Sequence, residues 1–222
     1  MGFQIAIDGP AGAGKSTVAK LISKELGYIY IDTGAMYRAF GLYLLNNNID
    51  VNDEDAISKV VEKVNISIEF VQGEQKIYLN NEDVTDKIRT PEIGQAASSC
   101  SVHKCVREKL VALQQELANK QSVVMDGRDI GSVVLPNANL KIFLTASVEV
   151  RAKRRILDYK QKGIEKPLDE MIKEIEERDY RDSHRENSPL TQVKDAILID
   201  SSNMSIDDVV DKIIFYADGG RH

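Results

Sequence analysis

Gly9-Pro10-Ala11-Gly12-Ala13-Gly14-Lys15-Ser16, directly after the apolar run Phe3-Gln4-Ile5-Ala6-Ile7, decides how this chain is read. The spacing fits G-x-x-x-x-G-K-[ST], and the apolar periodicity that begins at Thr17 supplies the strand, loop and helix context this pattern requires. Glycines at 9, 12 and 14 let the main chain take positive φ and bring several N–H groups to one anion. The loop runs into a helix N-terminus, where unpaired amides and the helix dipole favour negative charge. Lys15 is expected to reach the β- and γ-phosphates of a nucleotide, and the Ser16 hydroxyl to ligate Mg²⁺.

Further along, strand-like runs at Gln4–Ile7, Tyr28–Ile31, Ser122–Met125, Leu140–Leu144 and Ala196–Ile199 alternate with helical patterns. This predicts an α/β protein with a five-stranded parallel sheet covered by helices on both faces. Val18, Leu21, Ile22 and Leu26 mark one helix, closed by Gly27, and Val106, Leu110, Leu113 and Leu117 mark another. One stretch breaks the alternation. Ile66–Phe70 has a period of two, and beyond Gln72-Gly73-Glu74 a second run, Lys76–Leu79, ends at Asn80-Asn81. Residues 63–97 are therefore expected to form a small, mostly antiparallel insertion.

A length of 222 residues suits one compact domain. With 29 basic against 35 acidic residues, no global basic field is available for nucleic acid. Cys100 and Cys105 lack His or Cys companions at metal-ligand spacing, so they are read as plain thiols in a reduced, cytoplasmic setting. No apolar stretch approaches the roughly 18 residues of a membrane span, and no signal-peptide core is expected at the N-terminus. Ala6 stands where a myristoylation signal needs Ser or Thr.

A phosphate loop alone serves switches, motors and small kinases. A guanine-reading Asn-Lys-x-Asp run is missing, since Asn119-Lys120 is followed by Gln121-Ser122. A kinase needs a second anionic pocket facing the loop, and candidates lie at the carboxyl ends of the second and third strands: Asp32-Thr33-Gly34-Ala35-Met36-Tyr37-Arg38 and Asp126-Gly127-Arg128-Asp129. Asp32 or Thr33 also reads as a helix cap. Arginines recur from Arg151 to Arg185, where rigid guanidinium forks suit a transferring phosphoryl group. Glu174, Glu176 and Glu177 read as i,i+4 partners of neighbouring basic side chains. On residues alone, a kinase of some other small acceptor and a nucleotide-dependent switch both remain open.

Residues 6–16, the runs at 32–38 and 126–131, and Glu-Arg-Asp-Tyr-Arg-Asp at 177–182 together resemble the bacterial cytidylate kinase family over essentially the whole chain. The resemblance implies a P-loop kinase core (residues 1–62 and 98–222), a nucleoside monophosphate-binding insertion at 63–97 and a lid at about 151–170. It implies phosphorylation of CMP and dCMP by ATP with Mg²⁺, by a monomer acting without nucleic acid or membrane. ATP would lie along Gly9 to Thr17. Thr33, Tyr37 and Arg38 would line the acceptor site, with Arg38 and Arg128 on its phosphate. Ser98, Arg107 and Asp129 would read cytosine, and Arg178, Asp182 and Arg185 would approach the acceptor's sugar and phosphate. Asp126 would orient Mg²⁺ through water, and Lys15, Arg128, Arg178 and Asp126 would form the catalytic set. Thr33 replaces a Ser found in some relatives, keeping the hydroxyl and adding a methyl that bears on sugar preference.

Overall fold

The computed structural model describes residues 2–71, 74–161 and 163–220. Five parallel strands, β1 (Gln4–Asp8), β2 (Ile29–Asp32), β6 (Val123–Gly127), β7 (Leu140–Thr145) and β8 (Ile197–Asp200), form one sheet in the order β2-β6-β1-β7-β8. Each lies within a residue or two of its expected run. β1 sits centrally, paired with β6 on one side and β7 on the other, so the chain order reverses beside it. That reversal opens a crevice at the strands' carboxyl ends, where such sheets bind ligands.

Both faces are covered, because the strands are apolar on both sides. Ile5, Ile7, Val124, Ile142 and Leu144 pack against α1 (Lys15–Leu26) and α8 (Ile206–Ala217). Ala6, Ile31, Val123 and Met125 face α5 (Lys104–Ala118) and a single π-turn at Ile130–Val134. α1 ends at Gly27 in the left-handed conformation, as the sequence required.

The antiparallel sheet is present as β3 (Ile66–Val71), β4 (Glu74–Leu79) and β5 (Glu82–Asp83). Asn80 and Asn81, with φ of 49° and 69°, make the tight turn into β5. The expected turn at Gln72-Gly73 falls outside the described residues. The second half of the 63–97 segment departs from the antiparallel expectation, because Pro91–Cys100 is a helix, α4. Thr90 caps it by accepting from the Ile93 amide at 3.3 Å, and Pro91 occupies the first turn, where its missing N–H is harmless. Ile77, Leu79, Val84, Ile88 and Ile93 join Met36, Phe40 and Leu44 of α2 (Thr33–Asn46) and Ile57 of α3 (Glu54–Val60) in one core, which fixes the small sheet against the body. The Gln75 side chain accepts the Asp32 N–H at 2.8 Å, fastening β4 to the end of β2.

Toward the C-terminus, α6 (Val148–Gln161) and α7 (Leu168–His184) pack on each other through Ala152, Met171 and Ile175. Glu174 pairs with Lys166, just before α7, and among the described residues no i,i+4 ion pair of Glu174, Glu176 or Glu177 is formed. Among the described residues no helix is long and apolar enough to cross a membrane.

Candidate active site

All three turns singled out in the sequence converge on one cleft of about 790 Å³ at the carboxyl edge of the sheet. Its floor is the Gly9–Ser16 loop. A Cβ on Gly9 would lie 1.9 Å from the Leu144 carbonyl oxygen, so only glycine fits where the loop leaves β1. Gly14, at φ 93°, turns the chain into α1 without a side-chain cap, leaving the first amides of the helix for an anion. Lys15 is buried, its ammonium donating to the Pro10 carbonyl at 2.7 Å. Burial and the neighbouring Arg128 and Arg178 push its pKa well below the usual lysine value, against the opposing pull of Asp126 and Asp182.

Ser16 donates to Asp126 Oδ2 at 2.8 Å, and Tyr30 donates to Asp126 Oδ1 at 2.8 Å, so both carboxylate oxygens are fixed in direction. Burial, and secondarily the charge of Asp32, raises the Asp126 pKa. Because the Ser16 proton points at Asp126, its oxygen lone pairs are free to face the cleft, and this hydroxyl-carboxylate pair is an oxygen donor set that suits Mg²⁺. Among the described residues no group of three or more His, Cys, Asp or Glu could hold a metal alone. Phosphate and water would have to complete the coordination.

Opposite the loop, Asp32 caps α2, accepting from the Ala35 amide at 2.8 Å, and pairs with Arg38 at 2.8 Å. Thr33 gives its hydroxyl proton to the Asp126 carbonyl at 2.7 Å, so only its lone pairs remain for a ligand. Arg107 and Asp129, both buried, form a direct ion pair, and Arg107 is braced by the Ser101 carbonyl at 3.2 Å. Arg185 lies 3.7 Å from the other Asp129 oxygen, placing it beside this pair. Arg128 donates to Asp182 at 2.8 Å. Burial alone would raise Asp182, yet Arg128 and Arg178 hold its carboxyl below the ordinary range.

Among the described residues, seven buried side-chain polar atoms have no hydrogen-bond partner, and five of them line this cleft: Tyr37 Oη, Ser98 Oγ, Arg107 Nε, Arg178 Nε and Arg185 Nη2. Buried polar atoms are otherwise nearly always satisfied, so a cluster of orphans marks a place where a ligand supplies the partners.

The arginine-rich stretch from Arg151 marks several further contributors in the sequence, but not which part of the site each one meets. Arg151 donates to the Ala11 carbonyl at 3.0 Å and pairs with Asp179, which accepts the Ala11 amide at 3.3 Å. Arg154 reaches the Ala13 carbonyl at 3.3 Å and the Ser201 carbonyl at 2.9 Å. The start of the 151–170 segment therefore braces the phosphate loop, while Arg155 stacks over Tyr159 on the cleft wall. The two thiols take no part in the cleft; burial pushes Cys100 up to about 12 and also raises Cys105.

Asp8 is the remaining buried carboxyl near the loop. Burial raises it to about 6, although the Gly131 and Ile130 amides favour its charged form. The folded state thus holds this proton more tightly than the unfolded chain, unfolding releases it, and stability falls as pH rises from about 4 to about 6. The loss amounts to about 3 kcal/mol. Urea denaturation of Asp8→Asn beside the parent across pH 4–7 is expected to show the parent's relative stability dropping through that window; a constant difference contradicts the shift.

The model of the cytidylate kinase family matches residues 5–218, nearly the whole chain. The chain belongs to that family. Cytidylate kinase from Lactobacillus gasseri is 57% identical over 95% of this chain and 92% of its own length. The Caldicellulosiruptor saccharolyticus cytidylate kinase is 55% identical over 96% and 94%, and that of Bacillus cereus 51% over 98% and 96%. Among solved structures, a gluconokinase from Sinorhizobium meliloti superposes with a TM-score of 0.51 at 15% identity, covering 98% of this chain and 93% of its own. That likeness concerns the fold alone, and it is the fold of a phosphate-loop kinase, as expected of a cytidylate kinase.

Proposed function

We propose that this chain transfers the γ-phosphoryl group of ATP to CMP and dCMP, giving the diphosphates. The observation that carries this reading is the cluster of unpartnered buried polar atoms around the Arg107–Asp129 pair, opposite a phosphate loop. Cytosine offers an exocyclic amine donor beside N3 and O2 acceptors, which complements a carboxylate next to a guanidinium. Uracil turns a carbonyl oxygen toward the same carboxylate and leaves it unpaired, a mismatch that buried polar sites reject strongly.

ATP lies along Gly9 to Thr17, its terminal phosphates met by the loop amides and Lys15. Ser16 directly, and Asp126 through water, would hold Mg²⁺, which when bound neutralises charge on the terminal phosphates. The acceptor lies along Thr33 and Tyr37, with Arg38, Arg128 and Arg178 toward its phosphate. Ser98, Arg107 and Asp129 face the base, and Asp182 and Arg185 approach the sugar and phosphate, with Asp182 fixing Arg128. An acceptor phosphate oxygen attacks the γ-phosphorus in line as the bond to the bridging oxygen breaks, leaving ADP. The attacking phosphate is already an anion, so no general base is needed; positioning and charge neutralisation by Lys15, Arg128 and Arg178 do the work. The 63–97 segment serves as the acceptor-binding insertion. The segment at about 151–170 serves as the lid, closing over the donor to exclude water that would otherwise accept the phosphoryl group. The enzyme acts as a cytoplasmic monomer on small molecules.

ATP consumption measured with CMP, dCMP, UMP, AMP and GMP tests the reading: rapid turnover is expected with CMP and dCMP, and equal rates with a purine monophosphate would refute it. Asp129→Ala is expected to lower the CMP to UMP ratio of kcat/KM at least tenfold, about 1.4 kcal/mol, with a smaller effect on kcat. An unchanged ratio would remove Asp129 from base recognition.

A further inference from the structure

Asp8, the last residue of β1, directs its carboxylate to the main chain just after β6. Its Oδ1 accepts the Ile130 amide at 2.8 Å and its Oδ2 the Gly131 amide at 2.7 Å, bridging more than 120 residues of sequence in a buried setting. Those are the two amides directly after Asp129, at the mouth of the π-turn. The far end of that turn closes on itself, through Val133 N–H to Asp129 C=O at 2.9 Å and Leu135 N–H to Ile130 C=O at 2.6 Å. Its leading amides have no such partner within the turn and are held by Asp8. β1 and β6 are also in register here, with Asp8 opposite Gly127.

We propose that Asp8 is a positioning residue for base selection: its two-amide clamp sets where Asp129 stands against Arg107, and ties that pair to the residue that begins the donor loop, Gly9. The inference rests on the assignment of Asp129 to the cytosine amine. The clamp uses both carboxylate oxygens as acceptors, a pattern no other side chain of this length reproduces. Asn keeps one acceptor but turns an NH₂ toward the second amide, so the turn must lift on that side and carry Asp129 with it.

Steady-state kinetics of Asp8→Asn, with Asp129→Ala measured alongside and melting followed by circular dichroism, test this. The expected result is a rise in KM for CMP of at least fivefold, KM for ATP within twofold of the parent, and a CMP to UMP ratio lowered at least threefold. A residue with a merely structural role would lower the melting temperature and move both KM values alike, and that outcome overturns the proposal. If Asp129→Ala collapses the ratio while Asp8→Asn leaves it intact, Asp8 has no part in selection. If Asp129→Ala itself leaves the ratio intact, the underlying base-reading assignment fails instead. Should Asp8→Asn not fold, Gly131→Ala probes the same clamp with the charge retained, since its Cβ would stand 3.4 Å from Asp8 Oδ2 and 3.2 Å from Lys141 Cδ. It is expected to raise KM for CMP two- to threefold without moving KM for ATP, and equal shifts in both overturn the proposal.

Discussion

Lys15→Ala is expected to lower kcat at least a thousandfold while leaving the melting temperature unchanged or higher. The two halves of that expectation have one cause. Without ligand, burial, Arg128 and Arg178 depress the pKa of the ammonium, and Asp126, Asp182 and its bond to the Pro10 carbonyl offset only part of the cost. Removing it relieves repulsion in the free protein. With a triphosphate in the loop the same charge meets developing negative charge in a site closed to water, where even one lost neutral donor is worth a hundredfold to a thousandfold. A thousandfold corresponds to about 4 kcal/mol of transition-state stabilisation. Turnover at saturating ATP and CMP, with melting measured in parallel, checks both halves. A variant within tenfold of the parent would take Lys15 out of phosphoryl transfer.

Arg178→Ala is expected to lose about a thousandfold in kcat, within the range found when a transition-state arginine is withheld from phosphoryl transfer. Arg178 is held down to about 10, first by burial, then by the charge of Arg128, with Arg155 and Arg38 adding to the repulsion and Asp182 opposing it. It therefore stays charged at neutral pH, with its Nε unpartnered. A half-buried guanidinium, crowded by cations and with its buried Nε unbonded, is poised for an anion that arrives later. Arg178→Lys is expected to recover less than tenfold, because an ammonium lacks the planar fork that meets two phosphate oxygens at once. A loss confined to KM for CMP, with kcat intact, would assign Arg178 to ground-state binding instead.

Much of the frame was legible because its causes are local. The parallel strands announce themselves as apolar runs at helix-separated intervals, and the phosphate loop as glycines at fixed offsets before Lys15. Asn80-Asn81 marked its turn because few residues accept two consecutive positive φ values. Thr90-Pro91 was an equally local helix-start signal, yet it was submerged in a segment read as strand from the hairpin beside it. The supports of the site are a different matter. Tyr30 sits in a run that reads simply as buried strand, and nothing near it tells that its hydroxyl meets Asp126, 96 residues on. Asp8 reads as the residue before a glycine turn until Ile130 and Gly131 are seen against it. The arginines from 151 to 185 share one compositional signature, but Arg151 and Arg154 brace loop carbonyls while Arg178 and Arg185 leave a buried nitrogen unpartnered in the cleft. Helix packing, which no spacing encodes, makes that division.

A guanidinium-lined pocket facing the loop is expected to hold a cytosine nucleotide by its base edge and its phosphate together. Crystals grown with CMP and a non-hydrolysable ATP analogue test it most directly. The cytosine amine is expected within hydrogen-bonding distance of the Asp129 carboxylate, and the CMP phosphate among Arg38, Arg128 and Arg178 with an oxygen aimed at the analogue's terminal phosphorus. A pocket left empty at saturating CMP, or a cytosine ring bound away from Asp129, would contradict it.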